Sequence, residues 1–201
     1  MLLQLAATLA RLHATPIAGL TLPVEGQGGD SRERFLEILD HYHDQLHRVQ
    51  REAFPILEAA FAWLYANASL IDRVTTLVHG DYDLRNVLFE GGRLTAVLDF
   101  ELAHLGHPAE DLGYLRKDIE SMIPWPQFMA AYTAAGGPHA ADDLVLYFQI
   151  WAYAFHGTCN VTAFSGYRNG VHTDVFLGTL CFVEFEHIQK RLVELLPGDE
   201  S

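Results

Sequence analysis

Apolar residues recur at helical spacing over most of the chain, apart from a central segment. Leu5, Leu9 and Leu12 follow the i, i+4, i+7 pattern within residues 2–13, so a helix is predicted there. The glycine-rich residues 17–30 are predicted to form a loop. The same reasoning predicts further helices at residues 31–52, 55–67, 109–120, 125–135, 140–163 and 171–195.

The central segment changes from helical to β-type patterning. Short β-prone runs lie at residues 75–78, 87–89 and 94–98, and Gly91-Gly92 separates the last two. Two apolar runs joined by a Gly-Gly turn predict an antiparallel β-hairpin. The predicted fold class is therefore α+β and mainly helical, with one small antiparallel sheet in the middle and no internal domain boundary.

Composition indicates a folded protein rather than a disordered one. The 201 residues are 50% hydrophobic and 19% charged, which is enough apolar surface to build a core without disulfides. Cys159 and Cys181 lie far apart in apolar stretches, as expected of small buried hydrophobes in a reducing compartment. We therefore expect a cytoplasmic protein that is held together by its hydrophobic core.

The charge balance disfavours two classes of partner. Lys and Arg number 13 against 26 Asp and Glu, so the formal net charge is −13. Proteins that bind nucleic acid carry basic stripes that displace phosphate counterions, and no such stripe occurs here. Anionic membrane surfaces are disfavoured for the same reason, and the longest uncharged stretches are too short to span a bilayer. We expect neither a nucleic acid nor a membrane as a partner.

Candidate chemistry is concentrated around the predicted hairpin. If its strands pair across the Gly-Gly turn, Asn86 just before the first strand and Asp99 just after the second lie at the same end. An amide oxygen and a carboxylate that converge in this way are suitable ligands for Mg²⁺. Asp81 lies nearby, outside the strand pair, where it can meet a substrate hydroxyl. One base-like Asp beside an Asn and an Asp on the metal is the arrangement used for phosphoryl transfer.

Several blocks of residues, taken in order, resemble a known superfamily. The blocks are His79-Gly80-Asp81 with Asn86, Leu98-Asp99-Phe100-Glu101, Gly106-His107-Pro108, and Asp111-Leu112. They resemble the aminoglycoside phosphotransferase/choline kinase superfamily. The resemblance is greatest to its "phosphotransferase enzyme family" branch, which includes kinase-like domains attached to some acyl-CoA dehydrogenases. The segment from Leu9 to His13 also resembles the helix that follows the hinge in these kinases, so the resemblance covers nearly the whole chain.

The resemblance implies a protein-kinase-like C-terminal lobe in which the hairpin carries the catalytic loop. By that resemblance Asp81 is the catalytic base, and Asn86 and Asp99 bind Mg²⁺, with ATP as the co-substrate. His79 matches the histidine that braces the catalytic loop. Asp111 matches the aspartate whose hydrogen bonds hold the backbone of that loop, although capping of its own helix is an alternative role.

Two further positions have less definite roles. Glu101 occupies a position that is acidic in this branch, and its role stays open between contact with substrate and support of the residues that make that contact. His107 departs from the family pattern, because an acidic residue is usual before Pro108. This departure puts the bracing of the local loop in question, and it leaves the metal site untouched.

The parts of a kinase that hold the phosphates are not evident. Kinases use a Gly-rich hairpin and a strand Lys for this purpose. Lys117 and Lys190 both follow Asp99 and lie on predicted helices. Gly26-Gln27-Gly28-Gly29 precedes a polar helix instead of lying between strands, which argues against a phosphate loop. We therefore expect residues 1–201 to form a single kinase-like C-terminal lobe, with the N-terminal nucleotide-binding lobe absent.

Two classes of function remain open at this point. In the first, the chain belongs to a small-molecule kinase-like phosphotransferase that transfers a phosphoryl group from ATP to a small hydroxyl substrate, and it is incomplete by itself. In the second, it is a non-catalytic relic or binding module that keeps the fold. The negative charge favours a cationic substrate such as an aminoglycoside or a choline-like alcohol, through electrostatic steering. A metal-dependent phosphohydrolase is a third and weaker alternative.

Three other patterns bear on partners and metals. The stripe of Leu5, Leu9 and Leu12 is a candidate for an apolar face covered by a second copy of the chain or by a separate N-terminal lobe, although packing on its own lobe fits equally well. His43 and His47 are one helical turn apart and suggest a metal, but no ligand from a second segment is apparent. That histidine cluster, which also includes His41 and Asp44, is therefore interpreted as a solvated helix face. Aromatic side chains crowd one predicted helix and are interpreted mainly as core: Tyr147, Phe148, Trp151, Tyr153 and Phe155.

Overall fold

The computed structural model describes residues 1–19 and 30–197. The described residues form two compact units. The first unit contains Met1–Arg34 and Ser69–Gln149, and the second contains Phe35–Ala68 and the chain from Ile150 onwards. The segment Gly26–Gly29, which was considered above as a phosphate loop, lies outside the described residues.

The described residues contain eight α-helices and four short strands. The helices are α1 (Leu2–His13), α2 (Ser31–Val49), α3 (Pro55–Asn67), α4 (Ala109–Ile119), α5 (Trp125–Ala134), α6 (Asp142–Arg168), α7 (Val175–Val183) and α8 (Phe185–Leu195). The strands are β1 (Thr76–Val78), β2 (Val87–Glu90), β3 (Arg93–Val97) and β4 (His104–Gly106). The fold is thus mainly helical with small antiparallel sheets, which confirms the predicted α+β class, although the described residues form two small sheets instead of one.

The first unit holds both sheets, each of two antiparallel strands. Strands β2 and β3 form the predicted hairpin, with Val87 opposite Val97 and a turn at Gly91-Gly92. Both turn glycines have positive φ, which suits a tight hairpin turn. Strand β1 pairs instead with β4, a strand that the pattern analysis missed. Only three residues long, β4 is too short to show an alternation of apolar and polar positions.

Helix α1 is packed into the core of the first unit. Leu5, Ala6, Leu9 and Ala10 are all fully buried, and α1 packs mainly against α5. Pro124 and Pro126 frame the start of α5, where the missing amide hydrogens of proline cost nothing. Leu5 and Leu9 are therefore not part of an exposed face. Of the two alternatives for this stripe, packing on its own lobe is the correct one for these residues.

The second unit has an aromatic core between its helices. Phe35 packs edge-on against Trp151 at 5.3 Å between ring centroids, and Tyr42 packs in the same way against Phe155 at 4.7 Å. Edge-to-face pairs of this kind add stability beyond their buried area. Trp151 is only 7% exposed, so the interpretation of the aromatic helix as core is correct for it.

Two helix boundaries differ from the prediction. Helix α6 continues through the predicted break at Ser165–Tyr167 and ends at Arg168. Gly170 then adopts φ +72°, and the amide of Val171 donates to the carbonyl of Gly166 at 2.9 Å, which is a glycine-terminated helix end. The single helix predicted for 171–195 is instead α7 and α8, interrupted at Glu184. Neither Gly nor Pro stands at that interruption, so local sequence does not signal it.

None of the described helices combines the length and the apolar character that a membrane crossing requires. Cys159 and Cys181 are partly buried, and neither forms a disulfide with a described residue. Burial, followed by the charge of Glu52, raises the pKa of the Cys181 thiol, so this side chain is less reactive than an exposed cysteine.

Candidate active site

The candidate site is a loop of the first unit that connects β1 to β2. The loop turns sharply at Gly80, where φ is +83°. A Cβ atom placed there would lie 2.6 Å from the carbonyl oxygen of Leu102. Both the backbone conformation and the close approach therefore require glycine between His79 and Asp81.

Asp111 anchors this loop through its backbone. The Asp111 side chain is fully buried in the first turn of α4. Its Oδ2 accepts from the amide of His79 at 2.8 Å, and its Oδ1 accepts from the amide of Gly80 at 2.9 Å. Burial acts to raise the pKa of Asp111, but the hydrogen bond and charge of His13 and the hydrogen bond from the His79 amide outweigh it and lower the pKa. The carboxylate is therefore ionised and fixes the entry to the loop.

His79 connects the loop to the end of the hairpin. Its Nδ1 accepts from the amide of Asp81 at 3.2 Å, and its Nε2 lies 2.9 Å from the carbonyl oxygen of Leu98. Because a backbone amide can only donate and a carbonyl can only accept, the neutral ring with its hydrogen on Nε2 satisfies both contacts. His79 therefore connects the backbone of Asp81 to that of Leu98, the residue that precedes Asp99.

The two carboxylate oxygens of Asp81 have different surroundings. Asn86 Nδ2 donates to Asp81 Oδ2 at 2.8 Å and to the Asp81 carbonyl at 2.9 Å. The other oxygen, Oδ1, is buried and receives no hydrogen bond of standard geometry from the described residues. The buried phenol of Tyr114 lies beside this carboxylate, and burial, followed by the charge of Asp81 and a hydrogen bond to the Asp81 side chain, raises the Tyr114 pKa. Asn86 and Tyr114 thus hold the Asp81 carboxylate in place, and a carboxylate fixed in this way can accept a proton.

Asn86 and Asp99 lie at the same end of the hairpin, as the strand pairing predicts. The amide of Leu98 donates to the carbonyl of Asn86 at 2.8 Å and extends the β2–β3 ladder by one residue. Asp99 follows with φ 64° and is the single non-glycine among the described residues with positive φ. A left-handed backbone costs an ordinary residue roughly 1–2 kcal/mol, and Asp is one of the few that tolerate it. Strain of this kind is concentrated at functional sites.

The donor atoms at this end fit a hard divalent cation. The hydrogen bonds of Asn86 use its amide nitrogen, so its amide oxygen is not consumed by them. Asp99 is exposed and makes no side-chain hydrogen bond at the start of the turn that follows it. An amide oxygen and a carboxylate are the ligand types that Mg²⁺ prefers. Glu101 is exposed on the adjacent single turn, Phe100–Leu102, and so stays near Asp99 along the chain.

Several supporting residues were missed by sequence reasoning. His13 Nε2 lies 3.0 Å from Asp111 Oδ2, and its Nδ1 lies 2.6 Å from the Tyr132 hydroxyl. Nothing in the sequence could connect α1 to Asp111, because the two are 98 positions apart. Only the match of Leu9–His13 to a helix of the resembling kinases drew attention to this histidine.

Asp83 is a second residue that was missed. It is buried, it caps the single turn Leu84–Asn86 by accepting from the Arg85 amide, and Lys117 Nζ lies 3.3 Å from its Oδ2. Burial acts to raise the pKa of Asp83, but the Arg85 hydrogen bonds and the Lys117 charge outweigh it, and the pKa is well below its usual range. An Asp two residues before the amide it accepts from is a recognisable Asx-turn pattern. That pattern could have identified the cap, although not the lysine.

The loop that leads to α4 is braced despite the departure at His107. His107 is fully buried, and its amide donates to Glu110 Oε1 at 2.8 Å. The other oxygen of Glu110 lies 2.9 Å from His104 Nε2. Burial acts to lower the pKa of His104, but the charge of Glu110 outweighs it and raises the pKa to about 9. The bracing carboxylate is therefore at position 110 instead of 107.

Comparison with known proteins decides the family. The sequence pattern that defines the "Phosphotransferase enzyme family" matches residues 1–146, which is well over half of the chain and includes the whole site. The chain belongs to the phosphotransferase enzyme family. This confirms the resemblance on which the roles of the loop residues rest.

The curated relatives of this phosphotransferase-family chain are longer proteins. It is 35% identical over 115 residues to acyl-CoA dehydrogenase family member 11 of Mus musculus, which covers 56% of this chain and 14% of that protein. The Homo sapiens protein of the same name is 33% identical over 145 residues, which covers 69% of this chain and 18% of that protein. The chain therefore spans less than a fifth of the length of these relatives.

Solved structures share the fold of this phosphotransferase-family chain. A candidate aminoglycoside phosphotransferase of Ralstonia eutropha JMP134 matches with a TM-score of 0.74 and 19% identity, over 95% of this chain and 64% of that one. Aminoglycoside phosphotransferase APH(4)-Ia, in a ternary complex with ADP and hygromycin B, matches with a TM-score of 0.60 and 20% identity, over 98% of this chain and 65% of that one. At this identity the likeness establishes a kinase-like phosphotransferase fold.

Proposed function

We propose that this chain carries the catalytic loop of an ATP- and Mg²⁺-dependent phosphotransferase that phosphorylates a hydroxyl group of a small molecule. The observation that carries the proposal is the environment of Asp81. One oxygen is held by Asn86, and the buried phenol of Tyr114 hydrogen bonds to the same carboxylate, so Asp81 is fixed in the loop. A general base needs an acceptor of this kind that neighbouring side chains hold in position.

In the proposed reaction, Asp81 Oδ1 accepts the proton of the substrate alcohol. The alcohol oxygen forms a bond to the γ-phosphorus of ATP as the bond to the ADP oxygen breaks. Asn86 and Asp99 would hold Mg²⁺, which supplies charge neutralisation on the phosphates. His79 and Asp111 act through the backbone, because their hydrogen bonds keep the loop in the conformation that presents Asp81.

In the proposed enzyme, residues outside this sequence bind the phosphates of ATP. Among the described strands none contains a lysine, and Lys117 is on α4, engaged with Asp83 and Asp118. By the family resemblance, an N-terminal nucleotide-binding lobe would supply the Gly-rich loop and the strand lysine. The chain would then be the C-terminal lobe of a two-lobed enzyme, and alone it would turn over ATP weakly or not at all.

The proposed substrate is a small cationic alcohol. The net charge of −13 would attract such a molecule and repel an anionic one. The structural neighbour with ADP also holds hygromycin B, an observation on that protein that makes aminoglycosides the first compounds to test. Choline-like alcohols form the second group of the test panel.

The decisive experiment compares Asp81→Asn with wild type in the longest reading frame that contains this chain. Substrate phosphorylation is followed with Mg²⁺-ATP over the alcohol panel, and ATP affinity is measured separately by calorimetry. We expect Asp81→Asn to lower turnover by about 10²–10⁴-fold with little change in ATP affinity, the range expected for loss of a general base. Asp44→Asn, an exposed carboxylate on α2, is the matched control and should leave turnover unchanged.

Two results would contradict the proposal. Turnover of Asp81→Asn equal to that of wild type would remove Asp81 from the chemistry. Failure of the longer protein to bind Mg²⁺-ATP at all would favour a binding module that keeps the fold without catalysis. Asp99→Asn sharpens the second test, because loss of a metal ligand should weaken Mg²⁺-dependent nucleotide binding as well as turnover.

A further inference from the structure

A second cluster of ligand-type side chains lies in the second unit, outside the loop that carries Asp81. His43 and His47 are one turn apart on α2, and Glu58 lies in the first turn of α3. His43 Nε2 is 3.0 Å from Glu58 Oε2, and His47 Nε2 is 3.1 Å from Glu58 Oε1. Glu58 is the ligand from a second segment that the sequence pattern did not reveal.

The spacing of these groups suits one metal ion. One potential ligand atom from each residue lies within 4.8 Å of the other two. Ligands bonded at about 2.0–2.1 Å in a tetrahedral zinc site are roughly 3.4 Å apart, so small side-chain rotations would close the site. Two imidazoles and one carboxylate form a ligand set that zinc uses with a fourth, open position.

Neighbouring side chains already orient the potential ligands. The His43 ring stacks on Phe61 with 4.4 Å between centroids and 14° between ring planes. Gln50 Nε2 donates to Glu58 Oε1 at 3.3 Å. Burial acts to raise the pKa of Glu58, but hydrogen bonds from His43 and His47 outweigh it and lower the pKa, which favours the ionised ligand. Contacts of this kind around metal ligands contribute to metal affinity in known sites.

We propose that His43, His47 and Glu58 form a zinc-type metal site that joins α2 to α3. The ion would be Zn²⁺ or a similar transition-metal cation, because imidazole ligands select against Mg²⁺ and Ca²⁺. The His47 side chain is 48% exposed and that of Glu58 39% exposed, so an ion can reach the site from solvent. The fourth position would be open to water or to a ligand in solution.

This site is independent of the proposed phosphotransferase activity. Its ligands belong to the second unit, whereas the candidate active-site residues belong to the first. A metal at Glu58 would hold together two helices that are consecutive along the chain. Its expected effect is therefore on the stability of this helix pair.

The test is zinc titration of the tag-free chain by calorimetry, in excess Mg²⁺ so that oxygen-only sites are occupied. We expect one Zn²⁺ per chain at the micromolar level or tighter, and a higher unfolding temperature with Zn²⁺ than without it. His47→Gln and Glu58→Gln should each weaken binding by at least about tenfold, which corresponds to 1.4 kcal/mol. His41→Gln, an exposed histidine on the same helix, is the matched control and should bind as wild type does.

Additional measurements control for misfolding of the variants and for zinc binding by other histidines. Circular dichroism of each metal-free variant checks the fold, and His47→Gln is the safer variant because its side chain is half exposed. The visible absorption of bound Co²⁺ should show nitrogen coordination that disappears in His47→Gln. The absence of zinc binding would overturn the proposal and leave a hydrogen-bonded His–Glu–His cluster. Zinc binding that is unchanged in both His47→Gln and Glu58→Gln would overturn it as well, by placing the ion elsewhere.

Discussion

Asp111 in the first unit and Glu58 in the second are both carboxylates in contact with histidine. Asp111 is fully buried with His13, whereas the Glu58 side chain is 39% exposed beside His43 and His47. The groups that donate to Asp111 include two backbone amides, and those around Glu58 are all side chains. Similar contacts therefore have different consequences. The buried carboxylate of Asp111 fixes the backbone around it, whereas the accessible carboxylate of Glu58 can exchange its partners.

The difference follows from the cost of leaving a polar group without a partner. At Asp111 no water can replace a lost donor, so every partner is required. At Glu58 water can take the place of either histidine, so a metal ion can compete for the carboxylate at low cost. The following predictions test this contrast, from the largest expected effect to the smallest.

Asp111→Asn should destabilise the protein by about 3–5 kcal/mol, because buried donors lose their acceptor at about 1–3 kcal/mol each. The amide cannot accept from His79, Gly80 and His13 together, and its own NH₂ group would face other donors. The measurement is the urea unfolding curve of the variant against wild type. A loss below about 1 kcal/mol would show that burial does not make Asp111 essential.

A third carboxylate–histidine pair, His104 with Glu110, is also largely buried. The pH dependence of stability tests how much such a buried pair contributes. The folded protein raises the His104 pKa to about 9. The stabilising contribution of the His104–Glu110 pair is therefore complete below the unfolded-state His104 pKa of about 6.5, and it is lost as the pH rises through 9. Integrated over that window, the contribution is at most about 3 kcal/mol.

The measurement is the free energy of unfolding between pH 6 and pH 10 for wild type and His104→Gln. Other groups also titrate in this range, so the difference between the two slopes is the relevant quantity. We expect the wild-type curve to fall more steeply. Parallel curves would mean that His104 has the same pKa folded and unfolded.

Gly80→Ala tests how tightly the anchored loop is held. Gly80 has φ +83° and a carbonyl oxygen 2.6 Å from the position of a Cβ, whereas Gly91 has φ +55° with open space around it. Gly91→Ala is the matched control and should cost about 1 kcal/mol for its backbone conformation alone. Gly80→Ala should cost about 2–3 kcal/mol, because the close contact adds to the strain. Equal losses in thermal or urea unfolding would refute a tightly packed loop.

Glu58→Gln in metal-free buffer should have the smallest effect, no more than about 1 kcal/mol, as is usual for partly exposed pairs. Urea unfolding in the presence of a chelator measures it. A loss as large as that of Asp111→Asn would remove the distinction between the two clusters. It would also mean that Glu58 is needed for folding whether or not a metal binds.

Local patterns were enough to place most helices, the hairpin and the loop residues. Helix periodicity predicted α1, α3, α4 and α5 to within about two residues, and the Gly91-Gly92 turn predicted the β2–β3 pairing. The same strand pairing predicted that Asn86 and Asp99 lie at one end of that hairpin, with Asp81 nearby. These features depend on interactions between residues close together in sequence, so the sequence alone could reveal them.

Contacts between distant residues required the three-dimensional path of the chain. His13 reaches Asp111 across 98 positions, β1 pairs with β4 across the whole hairpin, and Glu58 meets His43 and His47 on another helix. No periodicity encodes such pairs, because each depends on how whole elements pack together. For the same reason the sequence showed which carboxylates are present, but only the packing determined their exposure. Asp111 is buried away from water, whereas Glu58 is accessible to it.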